Sequence, residues 1–196
     1  MIAGETREVG TNIVAVLPVA RIKFADREAA RVGRPKGTNQ EDVVLETRET
    51  AAILESVAEM ARERGVFGEV RIADGRLIAA ASAAHAEYRV EFEKGEACVG
   101  VFTPDRWLSH SVEADLLNTG DDLEELLEEE LVEVGYAGKA PTIDHFRNDE
   151  KLFAFRSRTG IRAGDAGANE RIGQMLGAYE ACFRHLGDMH KEGEDE

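Results

Sequence analysis

Residues 69–102 read EVRIADGRLIAAASAAHAEYRVEFEKGEACVGVF, and this stretch decides the fold. Its first half contains Asp74-Gly75, a two-residue sequence that is typical of a tight β-hairpin turn. The segments on either side, residues 69–73 and 76–81, are rich in Ile, Val, Leu and Ala. The pattern therefore predicts two short antiparallel strands joined by this turn.

The second half of the stretch predicts two more strands. Residues 87–93 alternate Tyr88, Val90 and Phe92 with charged side chains, which is typical of an antiparallel strand with one face in water. The dipeptide Lys94-Gly95 then turns the chain into residues 97–102, which are apolar throughout. We expect these last residues to form a central strand of the sheet.

Helical spacing of apolar residues marks three segments that surround these strands. Residues 50–64, 121–134 and 169–186 each carry an apolar stripe with the helical period, and each is followed by a glycine. We expect Thr119 to cap the second of these helices. Residues 107–117 fit either a further helix, starting from Thr103-Pro104-Asp105, or a fifth strand, and the pattern leaves both open.

A second hairpin is predicted by residues 142–147 and 151–158 around Asn148-Asp149, and a glycine-rich loop follows at 160–167. The element order is therefore α-β-β-β(-β)-α-β-β-α. Short connections of this kind predict an α+β fold with a mostly antiparallel sheet and helices packed on one face or at its ends. A Rossmann-type fold, in which strands and helices alternate regularly, is excluded.

The first 40 residues differ from the rest in charge, with seven basic against four acidic side chains. Residues 11–24 predict an apolar strand, and the breakers in residues 32–40, VGRPKGTNQ, predict a linker. We therefore interpret residues 1–40 as an N-terminal arm, residues 41–190 as a single domain and residues 191–196 as an acidic tail.

The overall composition narrows the class of protein. Asp and Glu number 39 against 24 Lys and Arg, giving a net charge of -15 that opposes a broad nucleic-acid groove. No signal peptide and no apolar run of about 20 residues is found, so we expect a cytoplasmic protein that does not enter a membrane. Cys98 and Cys182 lie in apolar runs and are expected to be buried thiols. The residue patterns predict no cofactor and no metal site.

Basic residues near the glycine-rich loop form the first candidate site. Exposed amides at a helix N-terminus attract anions, and guanidinium groups strengthen this attraction. The predicted anion site consists of Arg156, Arg158, Arg162, Gly164 and Gly167. A flexible connection without a ligand is the alternative.

Two other groups of residues are candidate surfaces for binding macromolecules, one for DNA and one for protein. Arg31, Arg34 and Lys36 flank a Gly-Arg-Pro sequence similar to the AT-hook core that binds the minor groove of DNA, although a basic linker explains the same residues.

The other candidate surface, for protein partners, consists of Trp107, Glu124 and Glu128. Trp107 fits either an interface anchor or a core residue. The two glutamates belong to an acidic helix face that suits basic partners or water.

Catalytic residue types occur together once, in Ser109-His110-Ser111 with Asp105 and Asp115 nearby. No GxSxG sequence frames the serines, and adjacent residues point in different directions, so we interpret this segment as a polar exposed surface. The histidines are likewise expected to lie at the surface.

The element order over residues 50–187 resembles the type III secretion chaperone fold and that of the YbjN-like bacterial proteins. The resemblance implies a homodimer that binds other polypeptides and catalyses no reaction. Our leading hypothesis is thus a non-enzymatic, chaperone-like protein-binding or regulatory module. The alternatives are a DNA-associated protein that uses the basic arm, and an enzyme or binder of an anionic ligand near residues 156–167.

Overall fold

The computed structural model describes residues 40–190 of the chain. The arm residues before Gln40, including Arg31, Arg34 and Lys36, and the predicted acidic tail lie outside the described residues. The elements, in chain order, are α1 (Gln40–Arg64), β1 (Val70–Ala73), β2 (Arg76–Ala80), β3 (Glu87–Glu93), β4 (Glu96–Thr103), α2 (Arg106–Thr119), α3 (Leu123–Glu133), β5 (Asp144–Arg147), β6 (Phe153–Arg162), α4 (Ala168–Phe183) and a 3-10 turn (Gly187–His190).

The six strands form one antiparallel sheet in the order β1-β2-β3-β4-β6-β5. The predicted α+β class with a mostly antiparallel sheet is therefore confirmed. Both predicted tight turns are present, since Asp74-Gly75 and Lys94-Gly95 all adopt positive φ, a conformation that favours glycine. Strand β4 lies between β3 and β6, as expected for its apolar sequence.

One face of the sheet carries the hydrophobic core. Side chains alternate along each strand, so Tyr88 and Val90 of β3 lie on the same face as Val99 and Val101 of β4. Helix α4 packs on this face with Tyr179 fully buried. Helix α1 lies beside α4 and against β1 and β2. Two of the predicted apolar stripes, those of α1 and α4, lie on helices that cover the sheet, whereas α3 packs against α4.

The opposite face of the sheet carries ion pairs. The Arg89 guanidinium lies between Glu87 and Glu150, 2.7 Å from the latter, and its carbon is 4.6 Å from the centroid of the Phe102 ring. Only 6% of Arg89 is exposed, and the opposite charges and the cation–π contact thus compensate the cost of burying its charge.

Helix α1 begins about three turns earlier than predicted, at Gln40 instead of residue 50, so the predicted linker 32–40 ends where the helix starts. Residues 40–49 have no apolar stripe, which is why periodicity missed them. They also contain no Gly or Pro, so nothing in their backbone chemistry stops the helix.

The open choice for residues 107–117 is settled as a helix, α2. Thr103 is not its cap, because Thr103 ends β4 and its hydroxyl accepts a hydrogen bond from Asp105 N. The Asp105 carboxylate caps the helix by accepting from Trp107 N at 2.7 Å. The prediction that Thr119 caps α3 is wrong, because Thr119 is the last residue of α2, where it donates to Asp115 O, and Asp122 caps α3.

The second hairpin is shorter at β5 and longer at β6 than the sequence predicts. Strand β6 continues through Gly160 to Arg162, because Gly160 N donates to Glu96 Oε1 and Arg162 pairs with Glu96 across an irregularity in the register. The predicted loop is therefore reduced to residues 163–167. Helix α4 ends at Phe183, three residues before the predicted end.

Candidate functional site

A cleft lies between the first turns of α2 and the edge hairpin formed by β5 and β6. Its volume is about 390 Å³, within the range of small-ligand sites. Strand β5 is an edge strand whose one neighbour in the sheet is β6. The cleft is lined by Arg106, Ser109, His110, Glu113, His145, Phe146, Arg147 and Phe153.

Helix α2 supplies two of the polar groups on one of its faces. Ser109 and Glu113 are four residues apart, so their side chains lie next to each other along the helix. The Asp105 cap fixes where the helix begins and therefore which side chains face the cleft. Ser109 is only 3% exposed, which places its hydroxyl at the bottom of the cleft.

The sheet supplies the third group, the imidazole of His145 on β5. In the register of β5 and β6, His145 is opposite Phe155, and the two rings stack with centroids 4.0 Å apart and planes within 2°. Phe155 is buried, so this stacking holds the imidazole in one plane. A tenth of the His145 side chain remains exposed.

Ser109, His145 and Glu113 form a continuous polar chain. Ser109 Oγ lies 3.1 Å from His145 Nε2, and Glu113 Oε1 lies 2.9 Å from His145 Nδ1. The second contact is close but is not aligned with the ring N–H, so Nδ1 has no well-directed hydrogen bond. A proton on Nδ1 is favoured by the adjacent carboxylate, which leaves Nε2 to accept from the Ser109 hydroxyl.

Burial determines the charge of this histidine. Removal from water lowers the pKa of His145, and the Glu113 carboxylate opposes that shift without cancelling it. The imidazole is therefore neutral at pH 7. A neutral imidazole between a hydroxyl and a carboxylate has the arrangement of a general base.

Two arginines line the cleft, and Trp107 follows one of them in the first turn of α2. Trp107 is 76% exposed, so the core alternative for this residue is wrong. Arg106 is exposed and has no ion pair among the described residues. Arg147 Nε donates to Lys151 O at 3.1 Å, and its guanidinium carbon is 5.4 Å from the centroid of the Phe153 ring.

The predicted protein-binding residues do not lie on one helix, since Trp107 is on α2 and both Glu124 and Glu128 are on α3. Glu124 lies on α3, where its carboxylate accepts from Ile143 N at 3.2 Å, just before β5. Glu128 is exposed on the same helix. Glu124 therefore fixes the segment that leads into the edge strand.

The basic residues of the predicted anion site bond to acidic or carbonyl groups. Arg156 lies 3.1 Å from Glu91 and 2.6 Å from Glu93, and Arg158 lies 3.7 Å from Glu93 and 3.3 Å from Glu96.

The rest of this predicted site is spread over the end of β6 and the loop after it. Arg162 donates to Lys94 O at 3.3 Å, and Gly164 is exposed in the loop. Gly167, at φ 66°, precedes α4. The anion site stays a prediction.

Sequence reasoning missed His145 and Glu113 and assigned different partners to Ser109. His110 is exposed, and Asp115 accepts from Gly187 N at 3.0 Å, which attaches α2 to the 3-10 turn. The spacing of Ser109 and Glu113 was visible in the sequence. His145 is 36 residues away from Ser109, and the expectation that it lies at the surface is wrong.

Comparisons with protein families, curated proteins and solved structures give no match for this chain. Within residues 40–190, no cluster of three or more His, Cys, Asp or Glu side chains is arranged to hold a metal ion. No helix in the same range has the length and apolar character needed to cross a membrane. The cleft is thus characterised by its own residues alone.

Proposed function

We propose that the chain is a protein-binding module whose α2–β5 cleft takes an extended polypeptide segment. The observation that carries this proposal is a cleft bordered by an edge strand, with Trp107 exposed next to Arg106, one of the residues that line the cleft. Edge strands present unpaired backbone groups, and extended peptides bind to them by adding a strand to the sheet.

The side chains around the edge support a particular kind of peptide. Phe146 and Phe153 line the cleft, so apolar side chains at alternate positions of the peptide have surfaces to cover. Trp107 is the type of residue that most often anchors an interface, because it covers a large area with few rotatable bonds.

The charged residues that line the cleft favour an acidic partner. Arg106 and Arg147 line the cleft together with one carboxylate, Glu113, so positive charge is in excess there although the net charge of the chain is -15. Complementary charges raise association rates and exclude partners of the wrong sign. We therefore propose an extended segment that carries apolar and acidic side chains.

The test uses the single tryptophan as its own reporter. Peptides of about ten residues, with alternating apolar side chains and acidic, neutral or basic flanks, are titrated into the chain while the tryptophan emission is recorded. Acidic peptides should shift the emission to shorter wavelength as the ring leaves water. Arg106→Glu should abolish the preference for acidic over basic flanks.

Fluorescence polarisation of labelled peptides extends the test to variants without tryptophan. Trp107→Ala should weaken binding about 30-fold, the effect of about 2 kcal/mol at an aromatic anchor. Val132→Ala, which removes an exposed apolar side chain from α3, is the matched control and should leave affinity unchanged. Equal binding of basic and acidic peptides, or none by any peptide, would refute the proposal.

The chaperone-like resemblance adds the proposal of a cytoplasmic homodimer. Trp107 and Leu117 are exposed large apolar residues of α2, which supports self-association. Buried free thiols at Cys98 and Cys182 support a reducing compartment. Light scattering coupled to gel filtration tests the dimer, and a mass equal to that of one chain at every concentration would contradict it.

A further inference from the structure

We propose that the cleft also holds a catalytic serine, with Ser109 as nucleophile, His145 as general base and Glu113 as the carboxylate that charge-stabilises the imidazole, acting on carboxylic esters that carry a negative charge. The proposal does not depend on peptide binding, because it requires only the three side chains and a small molecule in the cleft.

The arrangement of Ser109, His145 and Glu113 supports this proposal. A serine hydroxyl becomes nucleophilic when a histidine nitrogen accepts its proton and a third group holds the histidine. Ser109 Oγ is 3.1 Å from Nε2, and Glu113 is 2.9 Å from the opposite nitrogen. The stacked Phe155 ring fixes the plane of the imidazole. Such a set is recognised by geometry and roles, not by order in the sequence.

The surroundings of the three residues define the substrate class. A cleft of about 390 Å³ admits a small molecule, and its aromatic walls suit an acyl chain. Arg106 and Arg147 line the same cleft, so a carboxylate on the substrate finds positive charge there.

The reaction balances as ester hydrolysis. Ser109 Oγ attacks the carbonyl carbon while its proton moves to His145 Nε2, and the Glu113 carboxylate stabilises the resulting imidazolium. The C–O bond of the ester breaks, and the leaving alkoxide takes the proton from Nε2. Water then attacks the acyl-serine, its proton passes through Nε2 back to Ser109 Oγ, and the carboxylic acid leaves.

The first experiment measures the reactivity of Ser109 directly. A fluorophosphonate probe bonds to an activated serine oxygen through phosphorus and releases fluoride. Intact mass and peptide mass spectrometry of the full chain should show one adduct, located on Ser109. His145→Gln should slow labelling about 100-fold, as expected on removal of a general base. Ser82→Ala, which removes an exposed serine from another part of the surface, should label like the original chain.

The pH profile and an ester substrate separate catalysis from a structural role. The labelling rate should fall as the pH is lowered and His145 gains a proton, and Glu113→Gln should shift that profile. The p-nitrophenyl half-ester of succinate should be hydrolysed faster than p-nitrophenyl acetate, and Arg106→Ala should remove this preference.

Circular dichroism checks whether each variant is folded. The decisive measurement is the labelling of the original chain, which does not depend on any substitution. If the probe leaves the folded original chain unmodified, or reacts with Ser82 as readily as with Ser109, the proposal is wrong. Failure here leaves peptide binding untouched, because the peptide titration reports on Trp107 and does not require Ser109 to react.

Discussion

A buried chain of two hydroxyl groups gives the sharpest prediction of stability. The Tyr179 hydroxyl on α4 donates to Ser157 Oγ on β6, and Ser157 Oγ donates at 2.8 Å to Thr142 O, just before β5. Tyr179 and Ser157 are both fully buried, whereas Thr142 is an exposed residue. The chain therefore links a helix to the edge hairpin that borders the cleft.

The two single substitutions each remove one oxygen atom but should lower the free energy of unfolding by different amounts. Tyr179→Phe removes one hydrogen bond but leaves Ser157 bonded to Thr142, so it should cost about 0.5–1.5 kcal/mol. Ser157→Ala removes both hydrogen bonds and leaves the Tyr179 hydroxyl buried without an acceptor, which should cost about 2–3 kcal/mol. In the double variant no buried hydroxyl lacks a partner, so the second substitution should add less than about 1 kcal/mol to the first.

Urea unfolding followed by circular dichroism measures the three free energies of unfolding. Tryptophan emission is unsuitable, because Trp107 is largely exposed in the folded chain and reports little on the core. A Ser157→Ala variant that is more stable than Tyr179→Phe, or a double variant whose loss equals the sum of the two, would refute the reasoning.

Two further predictions concern close packing and pH. A Cβ at Gly100 would lie 2.7 Å from Phe155 O, part of the β6 backbone, so Gly100→Ala should lower the free energy of unfolding by about 1–3 kcal/mol. The control Gly173→Ala meets only the flexible end of Met60, at 2.8 Å, and improves helix propensity, so urea unfolding should show a change within about 1 kcal/mol. Because burial lowers the pKa of His145 below its ordinary 6.5, the neutral ring contributes stability that is complete above pH 6.5 and is lost as the pH falls through the folded-state pKa. The stability of the original chain relative to His145→Gln, measured by urea unfolding at several pH values, should fall on acidification, and a constant difference would contradict this assignment.

The predictable part of the fold is the part encoded locally. Asp74-Gly75 and Lys94-Gly95 form hairpin turns because neighbouring residues alone determine where the backbone can adopt positive φ. The stripe on residues 169–186 predicted α4 because helical periodicity appears within a few turns of chain. Where local signals were weak, as in residues 40–49 and around Gly160, the boundaries were wrong.

The candidate site could not be predicted in the same way, because it is formed by contacts between segments that are distant in the sequence. The sequence by itself determined the α+β class, the hairpins, the helices other than α2 and the buried thiols, because strand alternation, helical periodicity and turn chemistry are short-range properties. Only the tertiary structure placed β6 between β4 and β5, brought His145 beside Ser109 and left Trp107 exposed. These placements depend on how the whole sheet and α2 bury their apolar faces together, and no window of neighbouring residues contains that information.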